Sequence, residues 1–239
     1  MNAYAATNVG LIRSVNQDYV YYSLEPVGCL ANLFIVADGM GGHKAGDVAS
    51  RCSVERFVKY LKQTYDKDEV TAINSSITKV NEEIITMANE NPDYAGMGTT
   101  FVAATIDDNM LKVANIGDSR LYIAGEDIIQ ITRDHSLVEE LIYKGEIDRE
   151  QARTHEKKNF ITRAIGGRNS VEAEMFSVEL KPNDKIVMCS DGLSNMVEDK
   201  DILKIINENS DIRDAVENLI EEANRNGGTD NISVMIIEP

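Results

Sequence analysis

The chain has 239 residues, 43% of them hydrophobic, which is enough to bury a sizeable core within one domain. Its 24 Lys and Arg residues are outnumbered by 40 Asp and Glu residues, and the formal net charge of -16 repels nucleic acid and anionic lipid surfaces. The N-terminus lacks a signal-peptide pattern, and no run of about 18 apolar residues could span a bilayer. We therefore expect one cytoplasmic domain over residues 1–239 that binds neither nucleic acid nor membranes.

The periodicity of the apolar residues predicts the secondary structure. In chain order, an apolar run predicts a strand at 33–37, and apolar residues three and four positions apart predict helices that include 54–61 and 70–87. Further apolar runs predict strands at 101–106, 110–116, 121–124, 186–189 and 232–237. Between the last two strands, a third helix is predicted over 216–223, ending at Gly227 and Gly228.

Two short polar turns indicate how the strands are connected. The turns at 107–109 and 117–119 separate three successive strands, which is typical of an antiparallel meander rather than of βαβ units. Helices interleaved with such a meander indicate an α+β fold with sheets inside and helices outside.

The three cysteines, Cys29, Cys52 and Cys189, are odd in number and form no C-x-x-C pair. This pattern argues against a disulfide framework and a zinc site, and it fits a reducing compartment. None has an arginine six positions further on, as a cysteine-based phosphatase would need. Cys189 lies in an apolar run and is expected to be a buried hydrophobic residue.

Four aspartates lie where predicted strands begin or end, namely Asp38, Asp118, Asp191 and Asp230. A lone aspartate in such a place is usually a turn residue, but four of them, each followed by Gly, Ser or Asn, indicate a cluster. Carboxylates combined with a backbone carbonyl and waters suit Mg²⁺ or Mn²⁺, whereas zinc prefers His and Cys. Gly39, directly after Asp38, allows the backbone to approach a ligand closely.

The glycine-rich segment 39–46 fits none of the common phosphate-binding or calcium-binding loops. A dinucleotide-binding G-x-G-x-x-G pattern would need glycine where Lys44 stands. A P-loop would need lysine where Asp47 stands, and the aspartate would repel a phosphate. The EF-hand pattern is not met either.

Eight short motifs occur in an order and spacing that together are highly specific. They are RSVNQD (13–18), VADGMGGHKAG (36–46), MGTT (97–100), NIGDSRLY (115–122), DHS (134–136), ITRAIGG (161–167), SDGLSN (190–195) and GGTDNISV (227–234). In these motifs the chain resembles the metal-dependent protein phosphatases of the 2C type, in particular their compact bacterial members. The resemblance spans almost the whole chain and implies a four-layer α-β-β-α sandwich, in which antiparallel helix pairs flank a central antiparallel β-sandwich.

The resemblance also implies roles for individual residues. Asp38 would bridge two Mn²⁺ or Mg²⁺ ions, Gly39 would contribute its carbonyl oxygen, and Asp191 and Asp230 would complete the binuclear site. Asp118 would ligate a third, weaker ion together with Asp191. Around these ligands, Asp18 would hold metal-bound waters, and Asn231 is assigned to the same surrounding layer. Arg13 would bind the substrate phosphate, since its planar guanidinium matches two phosphate oxygens.

The implied reaction is hydrolysis of phosphoserine and phosphothreonine by a water or hydroxide that bridges the two ions. Eukaryotic members place a histidine directly after the Asp-Gly pair, but Met40 stands there and His43 follows three residues later. His43 could protonate the leaving group, hold a water that does so, or only orient the glycine turn. Residues 136–162 correspond to the flap beside the active site, which we expect to be mobile and to affect substrate access.

We therefore predict a monomeric Mn²⁺- or Mg²⁺-dependent Ser/Thr phosphatase that acts on phosphorylated proteins and opposes a eukaryotic-like Ser/Thr kinase. A catalytically silent scaffold that binds a phosphoprotein is the alternative from another class, although such a protein would not need the full set of acids. A hydrolase of small phosphate esters is a third alternative, but the sequence contains no recognisable nucleotide or sugar pocket.

Overall fold

The computed structural model describes residues 1–42, 45–64 and 68–239, which form two antiparallel sheets with helices on their outer faces. With strands and helices numbered in chain order, the first sheet contains β1 (Asn2–Asn8), β11 (Ile232–Glu238), β10 (Lys185–Cys189), β7 (Arg120–Ala124) and β8 (Ile128–Gln130), in that spatial order. The second sheet contains β2 (Asp18–Ser23), β3 (Leu33–Met40), β5 (Phe101–Asp107), β6 (Met110–Ile116) and β9 (Glu174–Glu179), and the two-residue strand β4 (Gly98–Thr99) also pairs with β3.

The helices belong to three groups. The first group is α1 (Ala45–Gln63) and α2 (Glu69–Glu90), followed by a 3-10 turn at Pro92–Tyr94. The second group is α3 (Leu137–Tyr143) and α4 (Arg149–Thr154), which lie within the segment 136–162. The third group is α5 (Asp191–Ser194), α6 (Asp199–Glu208) and α7 (Ile212–Arg225). None of the helices in the described residues is both long and apolar enough to cross a membrane.

Three apolar layers hold the sandwich together. Successive side chains of β3 point to opposite faces of its sheet, so this strand contributes to two of the layers. Phe34 and Val36 point into the layer between the two sheets, whereas Ile35 points into the layer between the second sheet and helices α1 and α2. Along β11, Val234 and Ile236 face the layer beneath α6 and α7, and the residues between them face the other sheet. Because both faces of these strands are buried, they appear in the sequence as continuous apolar runs.

The predicted helices and strands are present, and most extend a few residues beyond the apolar runs that predicted them. The predicted stop of α7 is also confirmed: Gly228, with a φ of 50°, donates its N–H to the carbonyl of Ala223 at 3.0 Å. Strands β1, β2, β8 and β9 escaped prediction because nearly all of their residues are half-buried or exposed and they have no long apolar run.

The prediction of a three-stranded meander is wrong at its second turn. Strands β5 and β6 form a hairpin, but the chain then crosses at 117–119 from the second sheet to the first, where β7 pairs with β10 and β8. A hairpin is impossible there because β6 is already paired on both edges, with β5 and β9. Gly117, with a φ of 103°, makes the sharp crossing, and a Cβ at this position would lie 2.6 Å from the side chain of Thr100.

Candidate metal and phosphate site

The four aspartates singled out in the sequence meet at one end of the sandwich. Asp38 lies near the end of β3, Asp118 in the turn between the sheets, Asp191 two residues after β10 at the start of α5, and Asp230 two residues before β11. Because β10 and β11 run antiparallel, the end of β10 and the start of β11 reach the same edge of the first sheet, and the end of β3 in the second sheet lies beside them at the cleft. Together with Arg13 and Gly39, the four aspartates line a cleft of about 220 Å³.

Asp38 is held in place through its backbone. Its N–H donates to the hydroxyl of Thr100 at 2.9 Å, and its carbonyl accepts the N–H of Thr100 and the hydroxyl of Thr99, both at 2.9 Å. Since the backbone carries these contacts, the carboxyl group is left to face the cleft. Asp18 stands directly opposite Asp38 in the pairing of β2 with β3.

Two buried carboxylate oxygens in this cluster have no hydrogen-bond partner among the residues that the structure describes. The hydroxyl of Ser190 donates to Asp18 Oδ2 at 2.7 Å, and the side-chain amide of Asn195 donates to Asp191 Oδ2 at 2.9 Å. The second oxygen of each carboxylate, Asp18 Oδ1 and Asp191 Oδ1, is buried without a partner. Unsatisfied buried acceptors are costly, and a cation or an ordered water would remove the cost.

Burial raises the pKa of Asp18, Asp38, Asp118 and Asp191, and repulsion from neighbouring carboxylates adds to the effect. The pKa rises to about 7 for Asp18 and to about 6 for Asp191, although hydrogen bonds from Ser233 and Ser190 act in the opposite direction on Asp18. The pKa values of Asp38 and Asp118 lie well above the ordinary value. Divalent cations would relieve this repulsion.

The donors fit hard divalent cations that keep part of their hydration shell. Among the described residues, no three Asp, Glu, His or Cys side chains come close enough to form a complete ligand set alone. Mg²⁺ usually needs only one or two carboxylates because waters fill its remaining positions. The carbonyl oxygen of Gly39 can serve as a further ligand. Glycine is also required here for packing, because a Cβ would lie 2.0 Å from the carbonyl oxygen of Gly46 at the start of α1.

Arg13 lies on the loop between β1 and β2, and Asn231 anchors that loop. Arg13 Nη2 donates to Asp230 Oδ2 at 2.8 Å, while about half of the arginine side chain stays exposed at the cleft. The buried side chain of Asn231 accepts the N–H of Gln17 at 2.8 Å and donates to the carbonyls of Val9 at 2.9 Å and Val15 at 3.0 Å. The residue after Asp230 thus determines where Arg13 sits.

Replacing Asn231 is therefore expected to weaken both the fold and substrate binding. Asn231→Ala removes three hydrogen bonds across the loop and should lower the free energy of unfolding by about 2 kcal/mol. With Arg13 less firmly placed, KM for a phosphopeptide should rise severalfold, which urea unfolding and steady-state kinetics can measure. Asn226→Ala is a suitable control because Asn226 is exposed, its side-chain amide donates a hydrogen bond to the carbonyl of Met196, and neither residue lines the cleft. An unchanged KM in Asn231→Ala would contradict the anchoring role.

Several contacts around Asp118 were not predicted from sequence. The Gly117 N–H donates to His135 Nδ1 at 3.0 Å, so the ring proton resides on Nε2, which donates to Glu174 Oε2 at 2.9 Å. Burial lowers the pKa of His135, which favours this neutral form. Arg120 and Asp134 form a bidentate pair on the other side of the turn. The motifs NIGDSRLY and DHS contain all of these residues except Glu174, but only the tertiary contacts show what they do.

The C-terminal end of the flap, residues 136–162, borders the cleft. Asn159 and Ile161 line the cleft, and the base of the flap is joined by hydrogen bonds from Leu137 N to Phe160 O at 2.8 Å and from Thr162 N to His135 O at 2.7 Å. Met40 also lines the cleft, at the place where eukaryotic relatives are expected to have histidine. His43, the candidate acid, lies outside the described residues.

The fold and this cleft define a known class of protein. A family model described as protein phosphatase 2C matches residues 13–233, and the chain belongs to that family. Among its relatives, the serine/threonine phosphatase Stp of Listeria innocua is 39% identical over 247 aligned residues, which cover 100% of this chain and 96% of that protein.

Solved structures agree with this classification. The serine/threonine phosphatase Stp1 from Staphylococcus aureus matches with a TM-score of 0.91 at 32% identity, covering 99% of this chain and 95% of the other. The catalytic domain of the serine/threonine phosphatase PstP, solved with two manganese ions, matches with a TM-score of 0.85 at 33% identity, covering 98% and 96%. The predicted four-layer fold and the phosphoprotein phosphatase class are thereby confirmed, and the two manganese ions of PstP are of the kind that the sequence predicted for this chain.

Proposed function

We propose that this phosphatase hydrolyses phosphoserine and phosphothreonine in protein substrates, with Asp38, Asp191 and Asp230 holding two Mn²⁺ or Mg²⁺ ions. The observation that carries the proposal is the convergence of these carboxylates with Arg13 in one cleft. The buried Oδ1 of Asp191, which has no hydrogen-bond partner within the described part of the chain, supports it because a cation would satisfy that atom.

Each residue has a distinct task in the proposed mechanism. Asp38, Asp191 and Asp230, together with the carbonyl of Gly39, would hold the two ions, and Asp118 with Asp191 would hold a third. Asp18, hydrogen-bonded to Ser190 behind the ligands, orients water rather than binding an ion directly. When bound, the ions supply a water of lowered pKa and positive charge beside the phosphoryl group.

Proton donation to the leaving alkoxide is assigned to His43 or to a water in the cleft. The sequence places His43 three residues beyond Met40, and an ordered water near the carboxylate cluster is an equally competent donor. Measuring kcat of His43→Ala on a phosphopeptide and on an aryl phosphate distinguishes the two donors, since only the poor alkoxide leaving group depends strongly on an acid. If His43 is the acid, kcat should fall much more on the phosphopeptide than on the aryl phosphate.

Arg13→Ala is expected to raise KM for a phosphothreonine peptide by about tenfold, which corresponds to the loss of one charge-assisted hydrogen-bond pair to phosphate. Arg13→Lys is the matched control: it keeps the charge but not the two parallel donors, so its KM should fall between those of the natural protein and the alanine variant. Steady-state kinetics at saturating Mn²⁺ measures the effect. An unchanged KM in both variants would show that the phosphate is held elsewhere.

The direct test of the function is release of phosphate from a phosphothreonine peptide with Mn²⁺, with Mg²⁺ and with a chelator. The natural protein should turn over only with a metal, and Asp191→Ala should be inactive under all three conditions. A folded natural protein that is inactive with every metal would favour the silent scaffold. Activity on aryl phosphates without activity on any phosphopeptide would favour small phosphate esters as substrates.

The biological setting follows from the same chemistry. A phosphoprotein phosphatase requires a kinase that phosphorylates its substrates, and we propose a eukaryotic-like Ser/Thr kinase as its opponent. The three free cysteines, Cys29, Cys52 and Cys189, support a cytoplasmic location. We further propose that residues 1–239 act as a single monomeric domain.

A further inference from the structure

A second cavity adjoins the proposed catalytic cleft and has no role in the mechanism above. It has a volume of about 350 Å³ and shares Asp118 and Asp191 with the cleft. One wall is the flap, which contributes residues of α3 and α4 together with Lys158, and the opposite wall comes from Asp191 and the residues that follow it up to Asp199. A polypeptide whose phosphorylated residue lies in the cleft can therefore extend into this cavity.

The acidic groups of the second cavity that are not proposed metal ligands already have partners. Asp134 is held by Arg120 through two nitrogens, with the shortest distance at 2.7 Å. Glu139 faces Arg133 at 3.8 Å and Arg149 at 3.5 Å. Asp199 accepts the hydroxyl of Tyr122 at 3.3 Å. Arginines thus offset the charges of Asp134 and Glu139 within the protein, whereas Asp199 receives only a hydrogen bond from a neutral hydroxyl.

Two positively charged side chains on the flap wall, Arg153 and Lys158, are not paired in this way with an acidic side chain of the described residues. Within residues 1–42, 45–64 and 68–239, neither Arg153 nor Lys158 has an ion-pair partner. Glu198 is close enough to Arg153 for the two charges to interact, but it is paired with Lys200 at 2.8 Å. In a chain with a net charge of -16, uncompensated cations that face a cavity beside the reaction centre favour an anionic occupant.

We propose that Arg153 and Lys158 form a subsite for an anionic side chain of the substrate, a carboxylate or a second phosphate near the residue being dephosphorylated. This inference rests on the proposed function, because it assigns the phosphorylated residue itself to the acidic cleft. Arg149, which shares Glu139 with Arg133, stands at the edge of the same subsite. The apolar Val138, Ile142 and Ala152 line the cavity between the charges and can contact the substrate backbone.

The test compares phosphothreonine peptides that differ at one position. A reference peptide carries only neutral residues around the phosphothreonine, and a series places one glutamate at each of the four positions on either side. A second series replaces the glutamate with a phosphonate that cannot be hydrolysed. For the best position, kcat/KM should exceed that of the reference peptide by about three- to tenfold, as expected for one or two exposed ion pairs. This preference should shrink as salt is raised.

The double variant Arg153→Gln/Lys158→Gln should lose the preference while hydrolysing the neutral reference peptide at the natural rate. Lys204→Gln on α6 is the matched control because its exposed charge lines neither cavity, and it should keep the preference. If the phosphonate raises kcat/KM more than glutamate does, the preferred occupant is a second phosphate. If glutamate raises kcat/KM more, the preferred occupant is a carboxylate.

Two results would overturn the subsite: equal kcat/KM for all the peptides, or a double variant that loses activity equally on acidic and neutral peptides. Neither would affect the proposed function, which fails only if the natural protein hydrolyses no phosphopeptide with any metal.

Discussion

Asp38→Asn is expected to abolish phosphate release. The amide keeps the size of the side chain and its backbone contacts to Thr99 and Thr100, but it loses the charge that would bridge two ions. Bridged metal ions contribute several kcal/mol to stabilising the charge of a transition state, so the expected loss in kcat is on the order of 10³-fold. Release of phosphate from a phosphothreonine peptide at saturating Mn²⁺ measures it.

Asp93→Asn serves as the matched control, since Asp93 is exposed in the 3-10 turn and does not line the cleft, so that kcat should be unchanged. Circular dichroism shows whether both variants are folded. If Asp38→Asn retained more than about a tenth of the natural turnover, Asp38 would have no central part in the mechanism.

Removing divalent ions is expected to lower the stability of the protein as well as its activity, and the loss should be larger at high pH. Burial and mutual repulsion raise the pKa of Asp191 to about 6 and that of Asp18 to about 7. In the unfolded chain these groups ionise near 4, so between about pH 4 and pH 7 the folded state binds more protons. Without ions, the contribution of these acids to stability is therefore present below pH 4 and is lost as the pH rises.

Thermal unfolding with Mn²⁺ and with a chelator, at pH 5 and at pH 8, tests this expectation. At one hundred times its Kd a ligand adds about 2.7 kcal/mol, which corresponds to roughly 5–10 °C in Tm for a domain of this size. The gap between Mn²⁺ and chelator should be near that value at pH 8 and clearly smaller at pH 5, where protons compete with the ions. In chelator at pH 8, Asp38→Asn should not lower Tm, because the amide removes a repelled charge. Equal Tm values with and without Mn²⁺ at pH 8 would contradict a metal site here.

Much of the secondary structure was predictable because the relevant signals are local. The apolar runs at 101–106 and 232–237 and the helical spacing in 54–61 correspond to buried positions on β5, β11 and α1. The turn at 117–119 misled the prediction, since a polar turn between two apolar runs looks the same whether the second run rejoins the same sheet or crosses to another. Only the pairing of β6 on both edges excluded the hairpin.

The site was predictable in its parts but not in its assembly. Asp38, Asp118, Asp191 and Asp230 were singled out by their positions at strand ends, and the family resemblance assigned their roles. Nothing local in the sequence indicated that His135 holds the turn before Asp118, or that Arg153 and Lys158 on the flap have no ion-pair partner in the part of the chain that the structure describes. These features depend on which segments become neighbours after folding.

The sequence by itself determined the residue types of the site, the strand ends that carry them and the family to which the chain belongs, because these are properties of short segments and of their order. The tertiary structure alone decided that Asp18 faces Asp38 across two strands, that Ser190 reaches Asp18 over a separation of 172 residues, and that Asn231 anchors the loop of Arg13. The physical reason is that burial, charge repulsion and hydrogen bonding act through space, and the distances that govern them exist only in the folded chain.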